Sequence, residues 1–247
     1  MSVDQYKKEV GMMNLEQLIE SREYIPETKF PIAGKELLQR FEQLYTGAVN
    51  DVLREFCCLN QALPGYILPL REYDTIAGFA FTVKSSPNVI IQGEMEFRTQ
   101  MLDEMGEDAF VLWDTSHDDK ATLWGGVMSA TAKGKKVKAA CIDGGIRDTR
   151  QILAADFPVF YKYRISNGSL GRCQITHYQI PILVGDVLIR PGDVVLGDMD
   201  GVLVVPRDMA YKVLLRAEEI KENEKTIFGW VKEGQTIQQI KEKGGYF

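Results

Sequence analysis

Three short apolar runs constrain the fold of this 247-residue chain more than any other feature of its sequence. They cover residues 76–83, 109–113 and 137–142, and β-branched, aromatic or small apolar side chains dominate each of them. The segments between them, 94–105 and 123–133, have helix-like patterns. Short buried strands that alternate with helices predict a mixed α/β core.

Helical segments flank this core at both ends. Apolar residues between 37 and 45 recur with the period of an α-helix, so residues 1 to about 55 are predicted to be helical. Thr46 is expected to be the N-cap of a second helix in this region. A long helix is predicted from near 208 to about 230, and a short C-terminal helix follows it.

The stretch 180–206 has a different character from the rest of the chain. Short apolar strands alternate there with Gly-Asp, Pro-Gly-Asp and Asp-Gly turns, which predicts a compact antiparallel β meander. We find no internal repeat and no low-complexity linker. We therefore expect one domain over 1–247, with a helical extension at 1–40 and C-terminal helices at 208–247.

The charge balance and the cysteine pattern exclude several classes of protein. Lys and Arg number 29 against 35 Asp and Glu, a net charge of −6, which argues against a nucleic-acid partner. No apolar stretch approaches the ~18 residues of a membrane span, and the N-terminus lacks the apolar region of a signal peptide. The four cysteines form no CxxC pair. A cytoplasmic protein with reduced thiols, away from membranes, is the expectation.

The segment 143–148, Asp-Gly-Gly-Ile-Arg-Asp, is the first candidate site. It is predicted to connect a strand to a helix, where glycines let the backbone approach a ligand. Arg147 beside Asp148 offers a carboxylate clamp next to a hard oxygen ligand for a metal ion. A structural alternative stays open, because Asp148 followed by Gln151 has the spacing of a capping box and Arg147 fits a surface ion pair.

The segment 124–132 is the second candidate, and Glu224 is the third. Gly125 and Gly126 at a helix start would expose backbone N–H groups that bind an anion, although close packing of a helix on a sheet also favours small residues. Glu224 falls on the apolar stripe of the long terminal helix, where an unpaired carboxylate is unfavourable. It would face a metal site or a neighbouring subunit, or else reach solvent at the edge of the stripe.

Other polar residues carry weaker signals. His117, Asp118 and Asp119 have metal-ligand types but lie in a polar loop, and His177 is isolated. Asp198 and Asp200 are most simply tight-turn residues.

Four segments together resemble a known family. The strand 76–83, the glycine turn 124–132, the Ile-Asp-Gly-Gly-Ile-Arg-Asp motif 142–148 and the late segment 191–206 occur in the order found in the RraA-like family. This family includes the class II 4-hydroxy-4-methyl-2-oxoglutarate aldolases, and the resemblance covers roughly residues 40–240. It implies a swivelling β/β/α core like that of phosphohistidine domains, and homotrimers that often pair into hexamers with sites between subunits.

The resemblance also implies roles for individual residues. The residue matching Asp148 holds a divalent cation, Mg²⁺ or Mn²⁺, largely through a water-rich shell, and the one matching Arg147 contacts the pyruvyl oxygen. The amides of Gly125, Gly126, Val127 and Met128 match those that hold the pyruvate carboxylate. Glu224 is the best match to a glutamate that a neighbouring chain contributes.

One departure from the family pattern bears on activity. The aldolases carry an acidic residue 22 positions before the metal-binding aspartate, and here that position is Gly126. The expected function is a metal-dependent lyase that cleaves a 4-hydroxy-2-oxo acid or oxaloacetate through a pyruvate enolate. The alternatives are a non-catalytic binding protein of the RraA type and a metal-dependent hydroxy-acid dehydratase.

Overall fold

The computed structural model describes residues 15–244 and consists of one large mixed sheet, a small hairpin and eight helices within those residues. The helices are α1 Glu16–Glu23, α2 Gly34–Phe41, α3 Thr46–Glu55, α4 Glu94–Glu104, α5 Gly126–Gly134, α6 Thr149–Ala154, α7 Ala210–Lys232 and α8 Ile237–Glu242. The strands are β1 Leu68–Pro69, β2 Ile76–Pro87, β3 Ala109–Asp114, β4 Thr122–Trp124, β5 Ala139–Ile146, β6 Val159–Arg164, β7 Cys173–Tyr178, β8 Ile182–Val184, β9 Val187–Ile189, β10 Val194–Asp198 and β11 Gly201–Val205.

The main sheet follows the order β1-β6-β5-β3-β2-β10-β11, with β4 also paired to β5 and β7 to β2. Strands β2, β3, β5 and β6 run parallel, and β10, β11, β7 and β1 pair antiparallel. β3 and β5 are buried along their whole length, as expected for central strands covered on both faces. The parallel strands therefore end at one common edge.

Three apolar clusters surround this sheet. The first joins the sheet to α4, α5 and α6 and includes Trp113, Trp124 and Ile146. The second packs α2, α3 and α7 against β10 and β11, and the third lies under the β8–β9 hairpin. The α4–α6 helices thus lie in a different apolar layer from the terminal helix α7.

The predicted α/β class, with helices at both ends, is confirmed. Helices cover much of 15–55 and the long helix runs over 210–232, whereas the predicted helix over residues 1–14 lies outside the described residues. The predicted meander is only partly right, because 182–205 forms two separate hairpins, one of them outside the main sheet.

Two predictions about local structure are wrong. Strand β5 continues through Asp143-Gly144-Gly145 and does not end before them. These glycines serve close packing: a Cβ on Gly144 would lie 2.7 Å from a Thr115 methyl, and one on Gly145 would lie 2.6 Å from the Ala121 carbonyl oxygen. The predicted helix at 123–133 begins only at 126, after strand β4.

Thr46 does not cap α3, which begins at Thr46 itself after Tyr45. Its N–H and hydroxyl donate instead to the Asp198 carboxylate, at 2.8 and 2.9 Å. Asp198 also accepts from the N–H of Asp200 at 2.9 Å, so it is the turn residue that the sequence predicts and an anchor for α3 as well.

Among the described residues, no helix is both long and apolar enough to cross a membrane.

Candidate functional site

Two turns at the common strand edge bring together the predicted site residues of two segments, 125–128 and 147–148. β4 pairs in parallel with β5, with Trp124 opposite Ile146, so the residues that follow the two strands leave the sheet side by side. The N–H of Arg147 donates to the carbonyl of Trp124 at 3.1 Å. The turn into α5 therefore lies against the turn into α6.

Asp148 directs its carboxylate across this junction. Its backbone is left-handed, with φ 56° and ψ 35°, a conformation that aspartate tolerates better than most residues. The side chain makes no hydrogen bond to the first turn of α6, so the capping box with Gln151 is not formed. Its Oδ2 accepts instead from the N–H of Gly126 at 3.3 Å.

Gly125 and Gly126 allow the close approach of the two turns. A Cβ on Gly125 would lie 2.8 Å from Oδ2 of Asp148, and one on Gly126 would lie 2.8 Å from Cβ of Gln151. Such separations are shorter than real Cβ contacts allow. The close-packing interpretation therefore holds for both glycines, and any side chain at 126 requires Gln151 to move.

The first turn of α5 presents main-chain donors beside Asp148. The first helical hydrogen bond joins the Ser129 N–H to the Gly125 carbonyl at 3.0 Å. The Gly126 N–H is used by Asp148, and within the described residues the N–H groups of Val127 and Met128 have no acceptor. These donors and the helix dipole favour an anion at this point.

A cavity of about 390 Å³ opens over these turns. Arg147 borders it with a half-exposed side chain, whose Nε lies 3.6 Å from Asp148 Oδ2. A Cβ on Gly168 would lie 3.0 Å from Arg147 Nη1, so the loop after β6 covers the guanidinium closely. The wall includes Trp124, Gly125, Val127, Met128, Arg147 and Asp148 from the two turns, Met95, Arg98 and Leu102 from α4, and residues 168–170.

Sequence reasoning missed Arg98, a second arginine in this wall. Its Nη2 donates to Glu94 Oε1 at 2.6 Å and to the Ser169 hydroxyl at 3.1 Å. The side chains of Glu94 and Arg98 are 1% and 11% exposed, so this is a buried ion pair. Its only signal in the sequence is an i,i+4 spacing of opposite charges, which exposed helix pairs share.

Glu224 is not brought to the cavity within one chain. It lies on α7, whose buried face packs with α2 and α3 in the second apolar cluster, and the hydroxyl of Tyr45 donates to its carboxylate. The stripe interpretation is right for Val213 and Ile220, which are buried, but Glu224 is only partly covered.

The weaker polar candidates have structural roles or lie apart from the cavity. Asp118 accepts from the N–H groups of Lys120 and Ala121 at 2.8 Å, and the histidines 117 and 177 are exposed. Within residues 15–244, no three His, Cys, Asp or Glu side chains are grouped as metal ligands.

Asp143, from the same motif as Arg147, is buried 3.6 Å from Lys162 Nζ. Burial raises the pKa of this carboxyl, although Lys162 and Tyr66 act in the opposite direction. Asp143 is not among the residues that border the cavity.

Comparison with curated proteins gives relatives over most of the chain. The chain is 25% identical over 206 residues to protein DlpA of Legionella pneumophila, covering 83% of this chain but only 33% of DlpA. It is 29% identical over 184 residues to a protein of Halalkalibacterium halodurans named putative 4-hydroxy-4-methyl-2-oxoglutarate aldolase, covering 74% of this chain and 83% of that one.

Solved structures share the fold. One described as belonging to novel cellulases from microbes of the gut ecosystem is 78% identical, with a TM-score of 0.87 over 90% of this chain and 100% of that chain. A Streptomyces coelicolor protein, described as an unusual member of the RNase ES inhibitor RraA family, is 22% identical, with a TM-score of 0.71 over 80% and 98% of the two chains. The RraA-like family model, Aldolase/RraA, matches residues 46–204. That match covers both turns and the cavity between them, and the chain therefore belongs to the RraA-like family, which contains aldolases as well as ribonuclease inhibitors.

Proposed function

We propose that this chain is a divalent-metal-dependent lyase that cleaves a C–C bond in a 4-hydroxy-2-oxo acid or in oxaloacetate. The observation that carries the proposal is the convergence of three kinds of group at one cavity. Free N–H groups of Val127 and Met128, the guanidinium of Arg147 and the carboxylate of Asp148 all lie at the junction of the two turns. The name of the Halalkalibacterium halodurans relative supports the same class of reaction.

The main-chain donors and Arg147 fit the two ends of a pyruvyl group. The helix start suits the carboxylate, which would accept hydrogen bonds from Val127 and Met128. Arg147 would then face the 2-oxo oxygen, where a guanidinium stabilises developing negative charge. Apolar side chains such as Leu102 and Leu170 border the same cavity and suit the carbon chain of such a substrate.

Asp148 fits a resident divalent cation. Mg²⁺ keeps several waters and is commonly held by one or two carboxylates, so a single aspartate with open space beside it is a suitable donor. No described residue donates a hydrogen bond to Oδ1 of Asp148, and Gly125 carries no Cβ that would press on Oδ2. A cation bound there supplies Lewis-acid polarisation of the 2-oxo group.

Both reactions would pass through the same anion, the enolate of pyruvate. Retro-aldol cleavage breaks the C3–C4 bond, leaves its electron pair on C3 and releases the proton of the 4-hydroxyl group to water as the C4 carbonyl forms. Decarboxylation of oxaloacetate breaks the bond between C3 and the C4 carboxylate, releases CO2 and also leaves the electron pair on C3. In both cases the electron pair delocalises to the C2 oxygen of pyruvate enolate. Arg147 would stabilise that oxygen more strongly than the ketone oxygen of the substrate, which would lower the barrier.

Glycoside hydrolysis fits this cavity less well. It needs two carboxyl groups on either side of the scissile bond, about 5–9.5 Å apart. Among the described residues that border the cavity, Asp148 is the one carboxylate. Nearby Glu94 is buried and bonded to Arg98 and to the Ile175 N–H. The cavity therefore favours cleavage of a 2-oxo acid over hydrolysis of cellulose.

An RraA-type binding function is the second candidate, and an exposed apolar rim favours it. Val127 and Leu170 are 79% and 45% exposed, and both border the cavity. Such a rim suits a protein partner or another copy of the chain. Independently of that choice, we propose a homotrimer or hexamer in which a neighbouring Glu224 would reach the cavity that it does not reach within one chain.

The test is metal-dependent release of pyruvate from oxaloacetate and from 4-hydroxy-4-methyl-2-oxoglutarate. Chelator-stripped protein is assayed alone and after addition of Mg²⁺ or Mn²⁺, with lactate dehydrogenase as the detecting enzyme. Metal without protein gives the background, because divalent ions decarboxylate oxaloacetate unaided. Pyruvate release that needs both protein and metal is the expected result.

Matched variants assign the activity to the cavity. Arg147→Ala and Asp148→Asn are each expected to lower kcat/KM at least about 100-fold, because each removes a charged group at the reacting end. Arg150→Ala and Asp74→Asn change exposed residues that do not border the cavity, and they should retain activity. Near-normal rates for Arg147→Ala or Asp148→Asn would refute the assignment. Absence of turnover, together with capture of a protein partner, would favour the binding function.

A further inference from the structure

We propose that Arg98 makes the cavity selective for 2-oxo acids that carry a second carboxylate, by binding that distal group. The inference rests on the proposed function and deepens it, because it assigns to one residue of this chain the recognition of the distal carboxylate. Arg98 borders the same cavity as Arg147 and Asp148.

The guanidinium of Arg98 is held rigidly before any ligand arrives. Nη2 is fixed by Glu94 at 2.6 Å and by Ser169 at 3.1 Å, and Glu94 is itself fixed by the Ile175 N–H at 3.0 Å. The guanidinium also lies 5.9 Å from the ring centre of Trp113. A group with so little freedom loses little entropy when it binds an anion.

The other end of the same guanidinium lacks a good acceptor. Nη1 contacts the sulfur of Met128 at 3.7 Å, and the described residues offer it no oxygen. A thioether is a weak acceptor, and a methionine side chain rotates readily. A ligand carboxylate reaching Nη1 would replace this contact with a charge-assisted hydrogen bond.

Consecutive residues of one loop contact the two arginines. A Cβ on Gly168 would lie 3.0 Å from Nη1 of Arg147, and the hydroxyl of Ser169 accepts from Arg98. The two guanidinium groups therefore border the same stretch of the cavity wall. One small diacid can use both, with its 2-oxo end at Arg147 and its distal carboxylate at Arg98.

The apolar part of the cavity wall is consistent with a ligand whose 2-oxo end lies at Arg147 and whose distal carboxylate lies at Arg98. Met95 and Leu102 lie on the same helix as Arg98 and border the cavity beside it. They suit the carbon chain between the two polar ends. A monoacid of equal length would place an uncharged end against Arg98 and leave Nη1 with its sulfur contact.

A purely structural role for Arg98 makes a different prediction. The ion pair with Glu94 joins α4 to β7 and to the loop at 169. Its loss would therefore lower the stability of the protein and reduce the affinity for all ligands equally. Selectivity between two ligands that differ only in one carboxylate separates the two roles. 2-Oxoglutarate and 2-oxopentanoate are such a pair, with the same five-carbon chain.

The experiment measures the Kd of both acids by titration calorimetry on the full chain with Mg²⁺ present. The main variant is Glu94→Gln with Arg98→Gln, which removes both charges and leaves no buried carboxylate unpaired. Glu94→Gln alone is the matched control, because it keeps Arg98. Arg98→Lys keeps the positive charge but not the planar guanidinium. It replaces the double variant in the experiment if a thermal melt shows that the double variant is not folded.

The unmodified chain is expected to bind 2-oxoglutarate at least about tenfold more tightly than 2-oxopentanoate, as one charge-assisted hydrogen bond allows. Glu94→Gln should keep most of this preference, because the guanidinium remains although it is held less firmly. The double variant should reduce the preference to about twofold or less, and Arg98→Lys should reduce it in part. An unchanged preference in the double variant, an equal loss for both acids, or no binding of either acid by the unmodified chain would overturn the inference.

The two proposals fail in different ways. Pyruvate release without any Arg98-dependent preference would leave the lyase standing and remove the role of Arg98. An Arg98-dependent preference without pyruvate release would leave a diacid-binding site that performs no lyase reaction.

Discussion

The substitution Gly126→Ala tests whether a steric contact with Gln151 excludes a side chain at position 126. Gly126 is the first residue of α5, and its φ is not in the left-handed region, so alanine is compatible with its backbone. The obstacle to alanine at this position is therefore only the lack of space for its Cβ atom. The new Cβ would lie 2.8 Å from Cβ of Gln151, 3.2 Å from its Oε1 and 3.4 Å from Cβ of Asp148.

The expected cost follows from these contacts. An added methyl group in a closely packed place costs typically about 1–3 kcal/mol, whereas alanine in place of glycine in a helix otherwise gains about 0.5–1 kcal/mol. A contact at 2.8 Å from a carbon attached directly to the main chain cannot be relieved by rotating a side chain. The difference of these two terms is an expected loss of about 0.5–2 kcal/mol in the free energy of unfolding for Gly126→Ala.

A double-mutant cycle assigns this cost to Gln151. Gln151→Gly removes the opposing Cβ, and Gln151→Ala keeps it while removing the amide. In urea unfolding at one fixed protein concentration, Gly126→Ala should be tolerated in the Gln151→Gly background, with a coupling energy of about 1–3 kcal/mol. In the Gln151→Ala background the loss should largely persist.

Two results would refute this reasoning. If Gly126→Ala is as stable as the unmodified chain, the two turns are not closely packed against each other. Alternatively, Gln151→Ala could restore stability as fully as Gln151→Gly, and the amide would then be the obstacle. If the cycle behaves as expected, Gly126→Asp combined with Gln151→Gly becomes the variant in which to place an acidic residue at the position where the aldolases carry one.

Three further predictions concern stability. Thr46→Val should cost about 1.5–3 kcal/mol in urea unfolding, because it removes the hydroxyl that donates to the buried Asp198 carboxylate, and a loss under 0.5 kcal/mol would contradict this. Gly145→Ala should lower Tm markedly, because its Cβ would meet the Ala121 carbonyl oxygen at 2.6 Å, whereas Gly106→Ala, with open space around it, should not. Burial raises the pKa of Asp193 to about 6 from 3.8. The folded state therefore binds this proton more tightly than the unfolded state. The resulting contribution to the free energy of unfolding is complete below about pH 4 and is lost as the pH rises through 6. Asp193→Asn should remove that decline, up to about 3 kcal/mol, and the same slope in both proteins between pH 4 and 6 would contradict the assignment.

Local patterns in the sequence predict the main elements because those patterns match what burial requires. The apolar run 109–113 is strand β3, buried throughout, and the periodic stripe on the terminal helix buries Val213 and Ile220. The Arg147–Asp148 motif and the Gly125–Gly126 turn are both placed at one cavity, as the interpretation of the two segments as ligand sites requires. In each case the signal lies within a few neighbouring residues.

Predictions fail where the deciding contact comes from a distant part of the chain. Asp148 and Gln151 have the spacing of a capping box, yet the carboxylate bonds to Gly126 in another turn. Thr46 has the residue type of an N-cap, yet its partner is Asp198 on the far hairpin. Spacing along the chain cannot distinguish such cases, because a donor near a helix start serves a local or a remote acceptor equally well.

By itself, the sequence determines an α/β chain with helical ends and two glycine-containing turns that carry the polar groups of a ligand site. Only the tertiary structure decides that Glu224 lies in a different apolar layer from Asp148, and that Arg98 joins Arg147 in the cavity wall. The physical reason is that burial of a charged side chain depends on which elements pack around it. The i,i+4 pair of Glu94 and Arg98 would look the same on a solvated helix, and only the packing of α4 against β7 and the loop at 169 makes it part of a cavity.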